Sequence, residues 1–313
     1  MNWRTLFFLL IIYVAHASAQ QEWGVVNVSV CNTRSHADYN AGMETQGLLG
    51  MPVQLLDAQD EWTKVRTPEG YESWTLTACL HACDRRELTR WNTARQVVVT
   101  ALYAQSYERP SRKAQPVSDL VAGNRLVLLG AKHGYYRVAY PDGRQAYVAK
   151  CDAMPLDRWR STLSRAPQDI LATAHRFMGV PYMWGGTSPK GVDCSGFVRT
   201  VLYMHDIIAP RNAGQMALVG ERIQVQPDYS NLQSGDLLFF SFPGQSRVIH
   251  VALYVGDKRF VHALGDVHLG SFDPSDPLYD AYHAQTLLYA GRLLPHINQH
   301  PELFTTDKSE FYR

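Results

Sequence analysis

Two stretches of this chain share one layout, and that repeat limits the fold more than any other feature. EWTKVRTPEGYESWT (61–75) and GYYRVAYPDGRQAYVAK (134–150) each run an aromatic-rich strand, a Pro-acid-Gly turn and a second strand ending in an aromatic. Around them, Val25–Val30, Val53–Leu56, Trp62–Thr67, Val97–Leu102, Arg125–Leu129, Tyr135–Tyr140 and Gln145–Val148 are short and rich in β-branched and aromatic residues. Such side chains suit a pleated, half-buried surface, and several short strands between turn signals read as small barrels. The repeat spacing therefore predicts two tandem all-β units, 20–85 and 93–151, joined by the polar stretch from Asp84 to Thr93.

After Pro155 the pattern changes. In PQDILATAHRFM (167–178), Ile170, Leu171, Ala174, Phe177 and Met178 fall on one helical face. Pro167 suits a first helical turn, and Gly179-Val180-Pro181 ends the helix. A Gly-rich loop (184–191) leads to a second helical stretch, Ser195 to His205, and then to strand-like runs at Asp236–Phe240, Ile249–Val255, Arg259–Ala263 and Thr286–Leu293. Helices followed by strands predict an α+β domain over 160–296, with 297–313 as a peripheral tail.

The chain is 46% hydrophobic and 19% charged with a net charge of +1, which lacks the concentrated basic surface of a nucleic-acid binder. Arg4, the apolar run Leu6–Ala15 and Ala17-Ser18-Ala19 have the order of a secretory signal peptide over residues 1–19. The run is short for a membrane span, and no cysteine follows the cut ahead of Gln20. An exported, soluble, monomeric protein of the periplasm or exterior is expected. Of five cysteines (Cys31, Cys79, Cys83, Cys151 and Cys194) an odd count leaves at least one free thiol. Cys79-Leu80-His81-Ala82-Cys83 has no second cluster to complete a zinc site, so a disulfide or plain burial is expected there.

Cys194, in GVDCSGFV (191–198), stands where the Gly-rich loop meets a helix. A helix N-terminus favours a thiolate, yet free cysteine is also among the most buried residue types. A nucleophilic thiol needs a base. In VIHVALYVGDKRFVHAL (248–264), His250 and His262 flank a turn at Gly256-Asp257. Alternation along two antiparallel strands puts both imidazoles on one face, opposite or nearly so. One can act as general base and the other can orient it. His175, His205, His268 and His283 lack such pairing and are assigned no role.

PYMWGGTSPKGVDCSGFV, SGDLLFF, HVALYVGD and FVHAL, in that order between Pro181 and Leu264, resemble the NlpC-type (p60-like) papain-like cysteine peptidases. The two β units resemble bacterial SH3-like domains, which often accompany cell-wall enzymes. The resemblance implies a papain-like catalytic domain behind two SH3-like barrels, cutting γ-D-glutamyl–diamino acid bonds of murein peptides without a metal or organic cofactor. It implies Cys194 as nucleophile, His250 as base and His262 as the residue that orients it. Tyr182 becomes a contact for substrate or its carbonyl, together with the Cys194 backbone N–H as an oxyanion donor. Asp193 and Ser195 become contacts to the L-Ala-γ-D-Glu portion.

One departure bears on specificity. Many relatives carry an Arg-Asp-Ser/Ala-type segment whose acid helps hold the substrate's free amine, whereas this chain reads Arg211-Asn212-Ala213. Asn212 and Ala213 are still placed against the substrate, but Asn212 brings no negative charge, and an acid such as Glu44 in the first barrel would have to compensate. Two other readings remain: a wall-peptide-binding protein with a relic catalytic domain, and an amidase or acyltransferase on another substrate. Keeping Cys194, His250 and His262 together disfavours the relic.

Overall fold

The computed structural model describes residues 22–313; the expected signal peptide (1–19) and its cut lie outside the described residues. The first unit has strands β1 (Trp23–Val26), β2 (Val30–Arg34), β3 (Met43–Leu48), β4 (Pro52–Gln59), β5 (Trp62–Arg66), β6 (Glu72–Leu76) and β7 (Leu80–Cys83). Helix α1 (Arg85–Thr93) follows, and then β8 (Gln96–Val99), β9 (Tyr103–Tyr107), β10 (Pro116–Val121), β11 (Arg125–Lys132), β12 (Tyr135–Ala139), β13 (Gln145–Ala149) and β14 (Ala153–Pro155). The spatial orders are β3-β2-β6-β5-β4-β1-β7 and β10-β9-β13-β12-β11-β8-β14. Adding seven to each label of the first gives the second, so the two units share one topology. The repeated turns join equivalent strands, with Gly70 and Gly143 at φ +81° and +87°, a left-handed step that glycine takes without a Cβ clash.

Two local expectations change. Val25–Val30 is not one strand: β1 pairs with β4 and β7, while β2 pairs with β3 and β6, so the chain turns a corner between them. The expected linker 84–93 is helix α1, whose Asp84 cap accepts the Glu87 N–H at 2.7 Å and which buries Leu88. A single buried apolar side chain gives too little periodicity to read. None of the described cysteines is in a disulfide; Cys79 stays free beside Cys31, and Cys83 is simply buried.

Helix α2 (Leu156–Thr162) leads into the catalytic unit, where α3 (Pro167–His175) buries Ile170, Leu171 and Ala174. Helix α4 (Cys194–Tyr203) is buried along its whole length. It packs on an antiparallel sheet ordered Glu221–Ile223, Leu287–Arg292, Leu237–Phe240, His250–Gly256, Arg259–Leu264 and Asp266–Ser271. Phe177, Phe197 and Val201 meet Leu237, Phe239, Val251 and Val261 in its core.

The units are keyed together through the same repeated turn. Glu69 of Pro-Glu-Gly forms a buried ion pair with Arg199 of α4 at 2.7 Å. The equivalent Asp142 of Pro-Asp-Gly accepts from Asn27 of the first barrel at 2.9 Å. Residues 297–313 are not peripheral. Phe304–Thr305 pairs with Ile207–Ile208, Phe311 packs edge-on against Trp23 with centroids 5.2 Å apart, and Thr306 donates to buried Asp206. The tail's apolar residues are scattered, so their burial is visible only once three units surround them.

Candidate active site

Asp193 caps α4. Its Oδ1 accepts the Gly196 N–H at 2.7 Å and its Oδ2 the Gly185 N–H at 2.9 Å, so one carboxylate clamps the Gly-rich loop to the helix start. A Cβ on Gly196 would lie 1.9 Å from the Gly186 carbonyl oxygen; only glycine permits that approach. Arg211, 2% exposed in its side chain, donates to both oxygens of Asp193 (3.1 and 2.5 Å) and to Ser195 Oγ (3.0 Å). Its Nε donates to the Glu44 carbonyl of the first barrel at 3.1 Å. Asp193 and Ser195 do line the cleft, but their polar atoms are engaged in building its wall.

The barrels pin the rest of the loop. Thr187 N–H donates to Gln46 Oε1 at 2.8 Å, Tyr103 donates to the Pro189 carbonyl, and Lys190 pairs with Asp119. Cys194 is thus held at the first turn of a fixed helix. Burial pushes its thiol up to about 11, with Asp193 adding to the rise, while the N–H groups of Val251 and Ser195 pull the other way. Burial drives His250 down to about 3, helped by neighbouring His283. Neither group charges alone. Proton transfer from Sγ to imidazole charges both together, and opposite charges attract more strongly in this partly buried site than in bulk water.

Sequence pairing of His250 with His262 holds, though not by direct opposition. A bulge after Tyr254 sets Leu253 opposite Val261, which leaves the two histidines diagonal. His250 Nε2 still lies 2.9 Å from His262 Nδ1. The relay then continues past what the sequence indicated. His262 Nε2 lies 3.0 Å from His268 Nε2, and His268 Nδ1 lies 2.9 Å from Asp266 Oδ1. An ionised carboxylate only accepts, so His268 must donate from Nδ1 and accept at Nε2. His262 then donates from Nε2 and accepts at Nδ1, and His250 donates from Nε2. The remaining His250 nitrogen, Nδ1, keeps its lone pair for the thiol proton. His268, assigned no role from sequence, therefore fixes the tautomer; its symmetry with His262 about Gly265 was the available signal.

Cys194 and His250 open on a cleft of about 700 Å³ that also exposes Tyr182, Trp184, Arg247 and Tyr289. Burial, with Cys194 and Asp193 beside it, pushes the Tyr182 phenol upward, so it stays a proton donor near the thiol. At one end, Tyr71 donates to the Glu44 carboxylate next to Asn212 and Ala213. The sequence raised Glu44, and the structure brings it to the cleft. Tyr71 and Arg211 were missed because they act through partners distant in sequence. The ring nitrogens of His250, His262 and His283 lie within 4.8 Å of one another, the one group among the described residues able to hold a metal.

A helix-capped cysteine facing an imidazole relay across a helix–sheet interface defines a papain-like thiol hydrolase. Residues 179–292 match the NlpC/P60 family model, and residues 33–80 match the bacterial dipeptidyl-peptidase SH3 domain. A γ-D-glutamyl-L-lysine dipeptidyl-peptidase of Bacillus cereus is 35% identical over 71% of this chain and 67% of its own length. Dipeptidyl-peptidase 6 of Lysinibacillus sphaericus is 28% identical over 86% of this chain and 98% of its own. A crystal structure of an NlpC/P60 family protein from Bacillus cereus superposes with a TM-score of 0.73 at 28% identity, covering 87% of this chain and all of that one. The chain belongs to the NlpC/P60 family and is a cell-wall peptidase.

Proposed function

We propose that the enzyme hydrolyses the γ-D-glutamyl–diamino acid bond of short murein peptides that carry a free N-terminal L-Ala, after export, in cell-wall turnover. The observation that carries this reading is the Glu44 carboxylate at the barrel-walled end of the cleft. An acid in this barrel-lined part of the cleft favours a substrate whose terminal ammonium sits there, and it supplies the charge that Asn212 lacks. The γ-D-glutamyl specificity is supported by the two Bacillus relatives that are named γ-D-glutamyl-L-lysine dipeptidyl-peptidases.

In this reaction Cys194 Sγ attacks the γ-glutamyl carbonyl carbon while its proton passes to His250 Nδ1. The Cys194 backbone N–H and the Tyr182 phenol stabilise the oxyanion. His250 then protonates the departing amine as the C–N bond breaks, leaving a thioester. A water gives its proton to His250 and attacks the thioester, and the thiol is restored. The test is mass spectrometry of products from L-Ala-γ-D-Glu–lysine and –diaminopimelate peptides with free or acetylated N-termini. Free peptides should be cut after γ-D-Glu at least tenfold faster. Equal rates, cleavage elsewhere, or activity in Cys194→Ala would overturn the proposal.

A further inference from the structure

We propose that His250, His262 and His283 form an inhibitory site for a single zinc-class divalent cation, whose binding withdraws the catalytic base. The site goes beyond the peptidase reaction, and only its inhibitory effect rests on that assignment. His283 comes from the helix Ala281–Thr286, and its ring lies 5.0 Å from that of His250 and 4.7 Å from that of His262, centroid to centroid. It does not take part in the relay. Its own ring hydrogen bond runs outward, from Nδ1 to Asp280 Oδ2 at 2.5 Å, which fixes Nδ1 as donor and leaves the Nε2 lone pair for a ligand.

The three rings therefore present a set that imidazole-binding metals use, with outer partners already in place. A metal-bound histidine commonly donates its other N–H to a carboxylate or similar acceptor, which orients the ring and raises its basicity. His283 has Asp280 in that role, and His262 has His268 backed by Asp266. Tetrahedral zinc with bonds of about 2.0–2.1 Å needs ligand nitrogens roughly 3.3 Å apart. The His250–His262 separation of 2.9 Å must open by a few tenths of an ångström, and His283 must close in from within 4.8 Å. The proposal requires His283, held at Nδ1 by Asp280, to swing its Nε2 inward about that contact. The fourth position is left to solvent.

Binding is incompatible with catalysis for a chemical reason. In the working relay His250 carries its proton on Nε2, the nitrogen that faces His262. A cation bonding to Nε2 replaces that proton, which moves to Nδ1 or leaves to solvent. When it moves to Nδ1, the nitrogen that must receive the thiol proton has become a donor. When it leaves, the metal-bound imidazolate is basic enough to take a proton from solvent on Nδ1 near neutral pH, so the same donor form results. No oxidation or reduction is involved, and removal of the ion by a chelator restores the relay.

The experiment is zinc titration by calorimetry on the full chain bearing Cys194→Ala, with peptidase assays on the parent. One zinc per chain should bind without the thiol, and zinc should inhibit the parent in a way that EDTA reverses. His283→Phe should weaken zinc binding at least tenfold. Asp280→Asn, which preserves shape, should weaken binding tenfold or more, and it decides the matter if His283→Phe fails to fold. Loss of binding in Cys194→Ala would place the ion on the Cys194–His250 pair and overturn the proposal. Unchanged affinity in Asp280→Asn or in folded His283→Phe would overturn it as well.

Discussion

Replacing His268 tests whether a half-exposed histidine sets the catalytic tautomer. In His268→Ala the chain from Asp266 is cut, and His262 Nε2 loses its acceptor at 3.0 Å. His262 can then carry its proton on Nδ1 and donate to His250 Nε2, which moves the His250 proton to Nδ1 and leaves no lone pair for the thiol. The bond lost is a neutral one, from the His262 ring N–H to a ring nitrogen of His268, and such a bond contributes about 0.5–1.5 kcal/mol. The Asp266 carboxylate behind it polarises His268, but the side chains of His268 and Asp266 are 41% and 54% exposed, so solvent screening limits what it adds and about 1–1.5 kcal/mol is at stake. At about 1.4 kcal/mol per factor of ten, kcat/KM should fall about five- to tenfold. The loss should appear in kcat, with KM nearly unchanged, because neither residue lines the cleft. Asp266→Asn should fall less, since an amide oxygen still accepts, and His262→Ala should fall by at least a hundredfold. Steady-state kinetics on a free-N-terminal murein peptide, with melting temperature as a folding control, reads all three. A change below twofold in a folded His268→Ala enzyme would refute the tautomer argument.

Other outcomes follow from the same geometry. In His250→Ala the thiol loses the partner that charges with it, so a pKa pushed up to about 11 governs alone. Thiolate then appears only as pH rises, and Cys194 alkylation by iodoacetamide should be very slow at pH 7 and climb through pH 9–11; parent-like reactivity at pH 7 would contradict this. Arg211→Met leaves the Asp193 carboxylate buried without its cation, a loss of about 3–5 kcal/mol, measurable by calorimetry as a drop in melting temperature of at least about 6 °C. Gly196→Ala forces a Cβ against the Gly186 carbonyl and should cost about 3 kcal/mol or more; a stable, active variant would show that the loop can yield. Glu44→Gln should raise KM for free-N-terminal peptides about tenfold and leave acetylated ones unaffected, read from paired Michaelis curves.

The sequence by itself determined much of this protein. A Pro-acid-Gly repeat announced two similar barrels because a left-handed turn and alternating strands are local properties. The helix-opening Cys194 and the His250–His262 pair were legible for the same reason, since capping position and strand alternation extend over only a few residues. Tertiary structure decided what depended on partners far apart in the chain. It carried the relay on through His268 to Asp266, gave Arg211 the task of joining Glu44 to Asp193, and drew Phe311 and Tyr312 into the body of the fold. Glu44 shows the division most plainly. Nothing local distinguishes it from any other strand acid, and only the docking of the first barrel on the catalytic unit places it in the cleft.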